Sequence, residues 1–417
     1  MARDREDRYF FSENYIKDIA KPGKIPPPEA VHGLRHKVAH LLNRNQHSFP
    51  GAQPVSFSRK HLDELREKDY YVCEKSDGIR YLLYLTAEPI GPDGELVESP
   101  FLIDRKNNFW YIDTKELHFP LRDRPVNEYH IETLIDAELV MEEFPEGKEP
   151  RLLVFDCLVL DGQSLMQRTL DKRLAYFKER VLQPQRELLD KYPDEKRFQP
   201  FTVHMKSMQF AYGIEMMFSQ VLPSLHHGND GLIFTCTGSP YQFGTDQHIL
   251  KWKPADENTL DFRWQMEYKK YYPNGDEGSG DWYYDYDGKP VAKLYVLGGS
   301  GHGGVNPFTH RATRGKWYQY FDNMYLEDEL WEQLKALGDP LDDRIIEGYR
   351  DEEGRWRFTR FRDDKNEANH ISTVENVLAS IKDAVSKQEL LEAAPNIKER
   401  WKARAEVRKQ QAQQAKR

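Results

Sequence analysis

Apolar residues along this chain recur at two periods, and the places where the period switches mark out its elements. After a proline-rich opening, Pro22-Gly23-Lys24-Ile25-Pro26-Pro27-Pro28, the residues Val31, Leu34, Val38, Leu41 and Leu42 fall at helical spacing and predict one amphipathic helix. From Tyr70 the runs become short and rich in β-branched and aromatic residues. Strands are predicted at Tyr70–Lys75, Ile79–Thr86, Phe101–Asp104 and Phe109–Ile112, broken by turn signals such as Gly91-Pro92-Asp93-Gly94. Two more strands, Leu134–Met141 and Leu152–Leu160, precede helical patterns at Asp171–Lys191 and Met208–Leu225, and strands resume at Gly231–Cys236 and His248–Lys253. Strands interleaved with flanking helices read as an α+β domain over residues 1–255.

Beyond Pro254 the pattern restarts. Strands are predicted at Leu260–Lys269, Val291–Leu297, Lys316–Tyr320 and Arg355–Phe361, with a polar insert at Asn274–Gly280 and one helix at Glu327–Leu337. A block of short strands with a single helix, residues 256–370, suits a small β-barrel such as an OB-fold. Residues 371–417 then form a final helix, Ile371–Leu391, and a basic tail. The glycine-rich run Gly298-Gly299-Ser300-Gly301-His302-Gly303-Gly304 lacks the Gly-Lys-Ser/Thr of a phosphate-binding loop and is expected to be a flexible loop on the barrel.

Composition narrows the class. With 417 residues, more than one core is expected, and an aromatic content of 12% supplies material for it. No run of apolar residues is long enough to cross a bilayer, and the opening MARDREDRYF carries no apolar leader, which predicts a protein of the cytosol or nucleus with no membrane partner. Cys73, Cys157 and Cys236 lie far apart in apolar runs with no zinc-site spacing, so buried reduced thiols are expected. A net charge of −9 argues against nonspecific coating of nucleic acid but leaves room for a local basic cleft. The C-terminal tail is the exception: Arg400, Lys402, Arg404, Arg408 and Lys409 predict a solvated basic helix, with weak RNA binding or nuclear targeting as the other reading.

Candidate chemistry centres on Glu74-Lys75-Ser76-Asp77-Gly78-Ile79-Arg80, where a lysine emerges at a strand end with a glycine three residues on to permit a tight turn. A lysine attacks only when neutral, so further positive charge is expected nearby in space. Along the chain follow Asp136-Ala137-Glu138, two carboxylates on one strand face, and Phe155-Asp156 in a buried strand. Asp230-Gly231-Leu232-Ile233 sets a carboxylate at a strand start, and Lys251-Trp252-Lys253 sets two cations on one face, an arrangement that favours a bound anion such as a triphosphate.

In this order, and with Arg362-x-Asp364-Lys365 after them, these strings resemble the motifs of the covalent nucleotidyltransferase superfamily, which contains the mRNA capping enzymes and the ATP-dependent polynucleotide ligases. Arg362-Asp363-Asp364-Lys365 with Asn369, and Phe49-Pro50-Gly51-Ala52-Gln53-Pro54-Val55, resemble the capping guanylyltransferases of fungi in particular, although Ala368 stands where many of them carry proline. The resemblance implies an α+β nucleotidyltransferase domain with ATP-grasp-like antiparallel sheets, followed by an OB-fold. It implies that Lys75 attacks GTP, carries GMP, and passes it to the 5′-diphosphate end of RNA. Lys251 and Lys253 would hold the α-phosphate, and Arg362 and Lys365, positioned by Asp364, would engage the β- and γ-phosphates as the domains close. Arg80, Arg105 and Glu138 are implied at the ribose, Phe155 against the purine, and Lys206 at the purine edge. Mg²⁺ or Mn²⁺ would lean on Asp230, with Glu138 as a further ligand. Implied partners are a separate RNA 5′-triphosphatase, since no His-Cys-x5-Arg string occurs here, and the phosphorylated C-terminal domain of RNA polymerase II in the nucleus.

Two other functions compete. A polynucleotide ligase would use the same lysine with adenylate, but Arg362-x-Asp364-Lys365 points to capping. A noncatalytic RNA- or polymerase-binding relative would have lost the lysine or a phosphate-binding cation, and none is lost.

Overall fold

The computed structural model describes residues 12–414 apart from 91–93, 114–116, 255–257, 274–280, 306–311 and 352. The N-terminal MARDREDRYF, most of the turn beginning at Gly91, the insert at 274–280 and the last residues of the basic tail lie outside the described residues. Contacts divide the chain into two units: residues Met1–Trp252 with Gln388–Arg417, and Lys253–Lys387.

The first unit holds two sheets. One has the order β5-β4-β3-β6-β7-β8, made from β3 (Ile79–Ile90), β4 (Glu95–Ile103), β5 (Phe109–Tyr111), β6 (Thr133–Phe144), β7 (Gly147–Leu160) and β8 (Gln163–Ser164), with β9 (Thr202–Met205) parallel to β7. Its central strands are buried on both faces. Tyr81, Leu83 and Leu85 of β3 enter one core with Ile135, Ala137 and Leu139, while Leu82 and Tyr84 enter a second with Leu134, Phe101 and Ile103. Burial on both faces explains why these strands read as near-continuous apolar runs. The second sheet has the order β1-β12-β11-β2-β10, from β1 (Ala52–Ser56), β2 (Tyr70–Ser76), β10 (Gln209–Phe210), β11 (Asn229–Cys236) and β12 (Gly244–Trp252).

Helix α1 (Pro28–Leu41) buries Leu34 and Val38, as its periodicity predicts, and α2 (Arg59–Glu67) leads into β2. The expected helix near Asp171–Lys191 forms as α3 (Leu170–Phe177) and α4 (Gln183–Lys191), joined by a π-turn. The expected helix at Met208–Leu225 is broken instead into β10, the single turn α5 (Ile214–Met216) and short 3-10 and π segments; Gly213 and Pro223 weaken a continuous helix there. All three cysteines are buried and unbonded.

The second unit is a closed barrel in the order β13-β16-β17-β19-β18, from β13 (Thr259–Glu267), β16 (Val291–Val305), β17 (Ala312–Met324), β18 (Ile345–Arg350) and β19 (Trp356–Phe361). A small hairpin, β14 (Lys270–Tyr271) with β15 (Tyr283–Tyr284), projects from the connection between β13 and β16. Phe262, Trp264, Leu294, Val296, Ile346 and Trp356 fill the core, with Trp331 and Leu334 of α6 (Asp328–Ala336) packed on it. The glycine-rich run at 298–304 is not a loop: it continues β16, paired with β17 through two register shifts. Glycine serves packing there, since a Cβ on Gly298 would collide with the Trp317 ring.

The last helix is also two. α7 (Ile371–Lys382) stops at Asp383, and α8 (Lys387–Gln414) runs through the basic tail, with Val385 buried at the break. The tail is not simply solvated. Arg404 Nε donates to Asp69 Oδ1 at 2.8 Å, its Nη1 to the Arg66 carbonyl, and Arg408 pairs with Asp69 at 2.8 Å, just ahead of β2.

A fully buried ion pair fastens α3 to β7: Arg173 Nε and Nη2 donate to the two oxygens of Asp156 at 2.6 and 2.8 Å. Arg173→Ala leaves that carboxylate buried without its partner and is expected to cost about 3–5 kcal/mol in urea unfolding. Lys148→Ala, which breaks the exposed pair with Glu143, is expected to cost less than about 1 kcal/mol.

Candidate active site

Lys75 is the penultimate residue of β2, and β11 lies antiparallel beside it. The β2–β11 register shifts between Asn229 and Leu232, and Gly231 there has φ of 134°, a conformation that side chains rarely adopt. This irregularity turns Asp230 to Lys75, whose Nζ donates to Asp230 Oδ1 at 2.6 Å with both side chains about one quarter exposed. Asp77 N–H donates to the Gly228 carbonyl at 2.9 Å and locks the same corner. Gly78 is required for close approach rather than for turn geometry: a Cβ would stand 2.7 Å from the Leu139 carbonyl and 2.9 Å from Glu138 Cγ. Lys251 on β12 is in register with Ile233, which is in register with Cys73, so alternation places Lys251 on the sheet face that carries Lys75. Lys253 follows β12 and opens the second unit.

Charged residues under Lys75 are held by one another. Lys206, 4% exposed, donates from Nζ to Ser76 Oγ at 2.5 Å and Glu138 Oε2 at 3.1 Å, and lies 3.5 Å from Glu74. Burial alone would favour its neutral form, but Glu74, Glu138 and their neighbours raise it above the usual lysine range, so it is a fixed cation. His227 packs between Glu142, 3.3 Å from Nδ1, and Glu74, 3.7 Å from Nε2. Glu74, Ser76 and His227 carried no motif signal; Glu74 and Ser76 flank the nucleophile candidate, and alternation along β2 was the one hint that they point together away from it.

A second charged group backs the first. Arg80, opposite Glu138 in the β3–β6 register, forks onto Asp136 at 2.9 and 2.6 Å, and its Nη1 donates to the Ala52 carbonyl. Tyr241 donates to Asp136 Oδ2 at 2.6 Å and accepts from Ala52 N–H at 2.9 Å. With all three nitrogens engaged, Arg80 is built into the wall rather than held out to a ribose. Its guanidinium carbon lies 5.5 Å from the Phe155 ring centroid. Phe155 is the one residue of 152–160 that is not buried, an aromatic kept at the surface of an otherwise closed strand. Arg105 is exposed in the β4–β5 turn; partial burial and the charge of Arg80 lower its affinity for its proton, against Glu138 and Asp136, which places it within electrostatic reach of all three.

In the second unit, Arg362 forks onto Asp364 at 2.9 Å through Nε and Nη2, and donates from Nη1 to Asp261 Oδ1 at 2.9 Å. Lys365 Nζ donates to the other Asp261 oxygen. Arg362 holds the Asp364 carboxyl down at about 2. Asp261, buried on β13, was not legible in the sequence, because it lies about a hundred residues from the cations it gathers. Asn369 completes the corner by bonding both the N–H and the carbonyl of Asp261 at 2.8 Å.

A strand-end lysine against a carboxylate, with a buried fixed cation beneath it and a half-buried aromatic on a neighbouring strand, suits an enzyme that handles nucleotides, in a chain of one mixed α+β unit and one β-rich unit. Two family models match in succession: the mRNA capping enzyme catalytic domain over residues 16–255 and the mRNA capping enzyme C-terminal domain over 257–391. The mRNA-capping enzyme subunit alpha of Neurospora crassa is 52% identical over 403 residues, 95% of this chain and 96% of that protein. The subunit of the same name from Schizosaccharomyces pombe is 44% identical over 392 residues, 94% and 90% of the two chains, and that of Saccharomyces cerevisiae 38% identical over 409, 92% and 87%. The chain belongs to the mRNA capping enzyme family and is its guanylyltransferase subunit.

His227 makes the site's support sensitive to pH. Burial would lower it, but Glu142 and Glu74 bring it up to about 9 from 6.5. A raised folded-state value means the contribution is complete below pH 6.5 and is lost as pH rises through about 9. Unfolding free energy is expected to fall by roughly 1–3 kcal/mol between about pH 7 and 10. His227→Asn is expected to flatten that slope in denaturant titrations across the pH range.

Proposed function

We propose that Lys75 is the nucleophile of a two-step guanylyl transfer from GTP to the 5′-diphosphate end of RNA. The observation that carries this reading is the Lys75 amine, presented at a strand end and held 2.6 Å from Asp230. In the first step the neutral amine attacks: a bond forms between Nζ and the α-phosphorus, the bond to pyrophosphate breaks, and the proton displaced from Nζ leaves with pyrophosphate. In the second, a terminal phosphate oxygen of the RNA attacks the same phosphorus and Nζ, having taken up a proton, leaves as the amine, giving GpppRNA. Both displacements concentrate charge on phosphate oxygens, so fixed cations contribute more than a strong base.

Lys251 and Lys253 are assigned to the α-phosphate, and Arg362 and Lys365 to the β- and γ-phosphates, with Asp364 and Asp261 fixing their directions. Phe155 is assigned to the purine face and Arg105 and Glu138 to the ribose. Arg80 and Lys206 take positioning roles in this account: Arg80 orients Asp136 and supports Phe155, and Lys206 holds Glu138 and the end of β2. The closed five-stranded barrel is read as an OB-fold.

No cluster of three His, Cys, Asp or Glu suited to a metal occurs among the described residues. Carboxylates are hard oxygen donors of the kind Mg²⁺ or Mn²⁺ takes, one or two of them completed by substrate phosphates. Asp230 and Glu138 would supply the oxygens, and the ion would neutralise phosphate charge. The proposal extends to a nuclear enzyme that works with a separate RNA 5′-triphosphatase and is recruited to the phosphorylated C-terminal domain of RNA polymerase II; its support is that capping acts on RNA from which a terminal phosphate has been removed.

With α-labelled GTP and a divalent cation, the protein is expected to retain label on a denaturing gel, and Lys75→Met to retain none. Label from ATP but not GTP would contradict the guanylyl assignment in favour of a ligase-like reaction. Arg362→Ala is expected to slow adduct formation about 100-fold. It should spare transfer from a preformed adduct to 5′-diphosphate RNA, and equal loss in both steps would contradict its leaving-group role.

A further inference from the structure

The β14–β15 hairpin carries aromatic surface that neither the barrel core nor the reaction chemistry uses. Trp282 and Tyr284 are each 42% exposed and Tyr286 63% exposed. They lie at alternate positions and touch in sequence, with ring centroids 5.1 Å apart for Trp282 and Tyr284 and 6.0 Å for Tyr284 and Tyr286; Tyr268, itself packed against the barrel core, anchors the row 4.8 Å from Tyr286. Lys270, in register with Tyr284, sets its ammonium 3.9 Å from the Trp282 centroid, so the row has a cation at one end. Asp285 is turned away into its own turn, where it accepts the Gly288 N–H at 2.9 Å. So many partly exposed rings in one row mark an interaction site rather than a scattering of surface residues.

We infer that this row is a stacking platform for the bases of single-stranded RNA next to the 5′ end being modified. The inference rests on the reading of RNA as acceptor and adds where that RNA is gripped. The chemistry favours this occupant: aromatic rings stack any base without sequence preference, which an enzyme acting on many transcripts requires, and Lys270 offers a phosphate contact. The position agrees, since the hairpin lies in the connection between the first two barrel strands, and in OB-type barrels that loop is among those that bind oligonucleotides.

The test uses the full chain and a short 3′-fluorescent RNA with a 5′-diphosphate end. Replacing Trp282 and Tyr284 by alanine is expected to weaken RNA binding by roughly fivefold or more, the loss of at least one stacked base. Trp282→Phe with Tyr284→Phe is expected to keep binding, and both variants to form the GTP adduct at the normal rate. Unchanged RNA affinity in the alanine variant would overturn the inference, as would an equal loss in the phenylalanine variant. Binding of a proline-rich peptide that depends on the row while RNA binding does not would overturn it too. Failure of the unsubstituted protein to form an adduct with GTP would count against the functional reading alone, because RNA affinity is measured separately.

Discussion

The pairing of β2 with β11 sets the distance on which the rest of the first unit depends. Two antiparallel strands bring Lys75 and Asp230, 155 residues apart, to 2.6 Å, and the irregularity at Gly231 gives the carboxylate its angle. Every other charged side chain around them can be described by what it does to that corner. Gly78 lets β2 approach Glu138, Lys206 ties Glu138 to Ser76, and His227 closes the far side of Glu74. A side chain on a strand held this way has little conformational freedom left to lose on binding a ligand, the condition under which positioning lowers a barrier most.

Burial of so many charges is costly unless each is paired, and the pairing follows a pattern. Arg80 with Asp136 and Arg173 with Asp156 are bidentate forks in the interior, while Lys75 and Asp230 stay partly open to solvent. The interior forks fix the elements that carry them; the open pair is the one that solvent reaches. The second unit uses the same device, with buried Asp261 gathering Arg362 and Lys365 and leaving Asp364 exposed.

Much of this was legible in the sequence where one strand or helix decided it. Alternation and apolar runs located most strands of the first unit and the start of α1, and the ordered motifs singled out Lys75 and Asp230, which the β2–β11 pairing brings together. What sequence missed was decided by partners distant in the chain. Asp261 reads as an ordinary strand carboxylate until the barrel places it beside Arg362. The run at 298–304 reads as a loop because glycine is the usual sign of one, yet it continues β16, and Gly298 makes space for Trp317 within that strand. Arg80 shows the converse: the motif suggested a residue facing the ribose, and the fold turns its donors inward onto Asp136 and the Ala52 carbonyl.

The proposed guanylyl transfer depends on Lys75 as the covalent carrier. The most direct measurement is peptide mapping by mass spectrometry of protein treated with GTP and a divalent cation, then freed of unbound nucleotide. It should find one GMP, attached through an acid-labile phosphorus–nitrogen bond, on the peptide containing Lys75. GMP on a different lysine, or the same adduct on protein with Lys75 replaced, would contradict it.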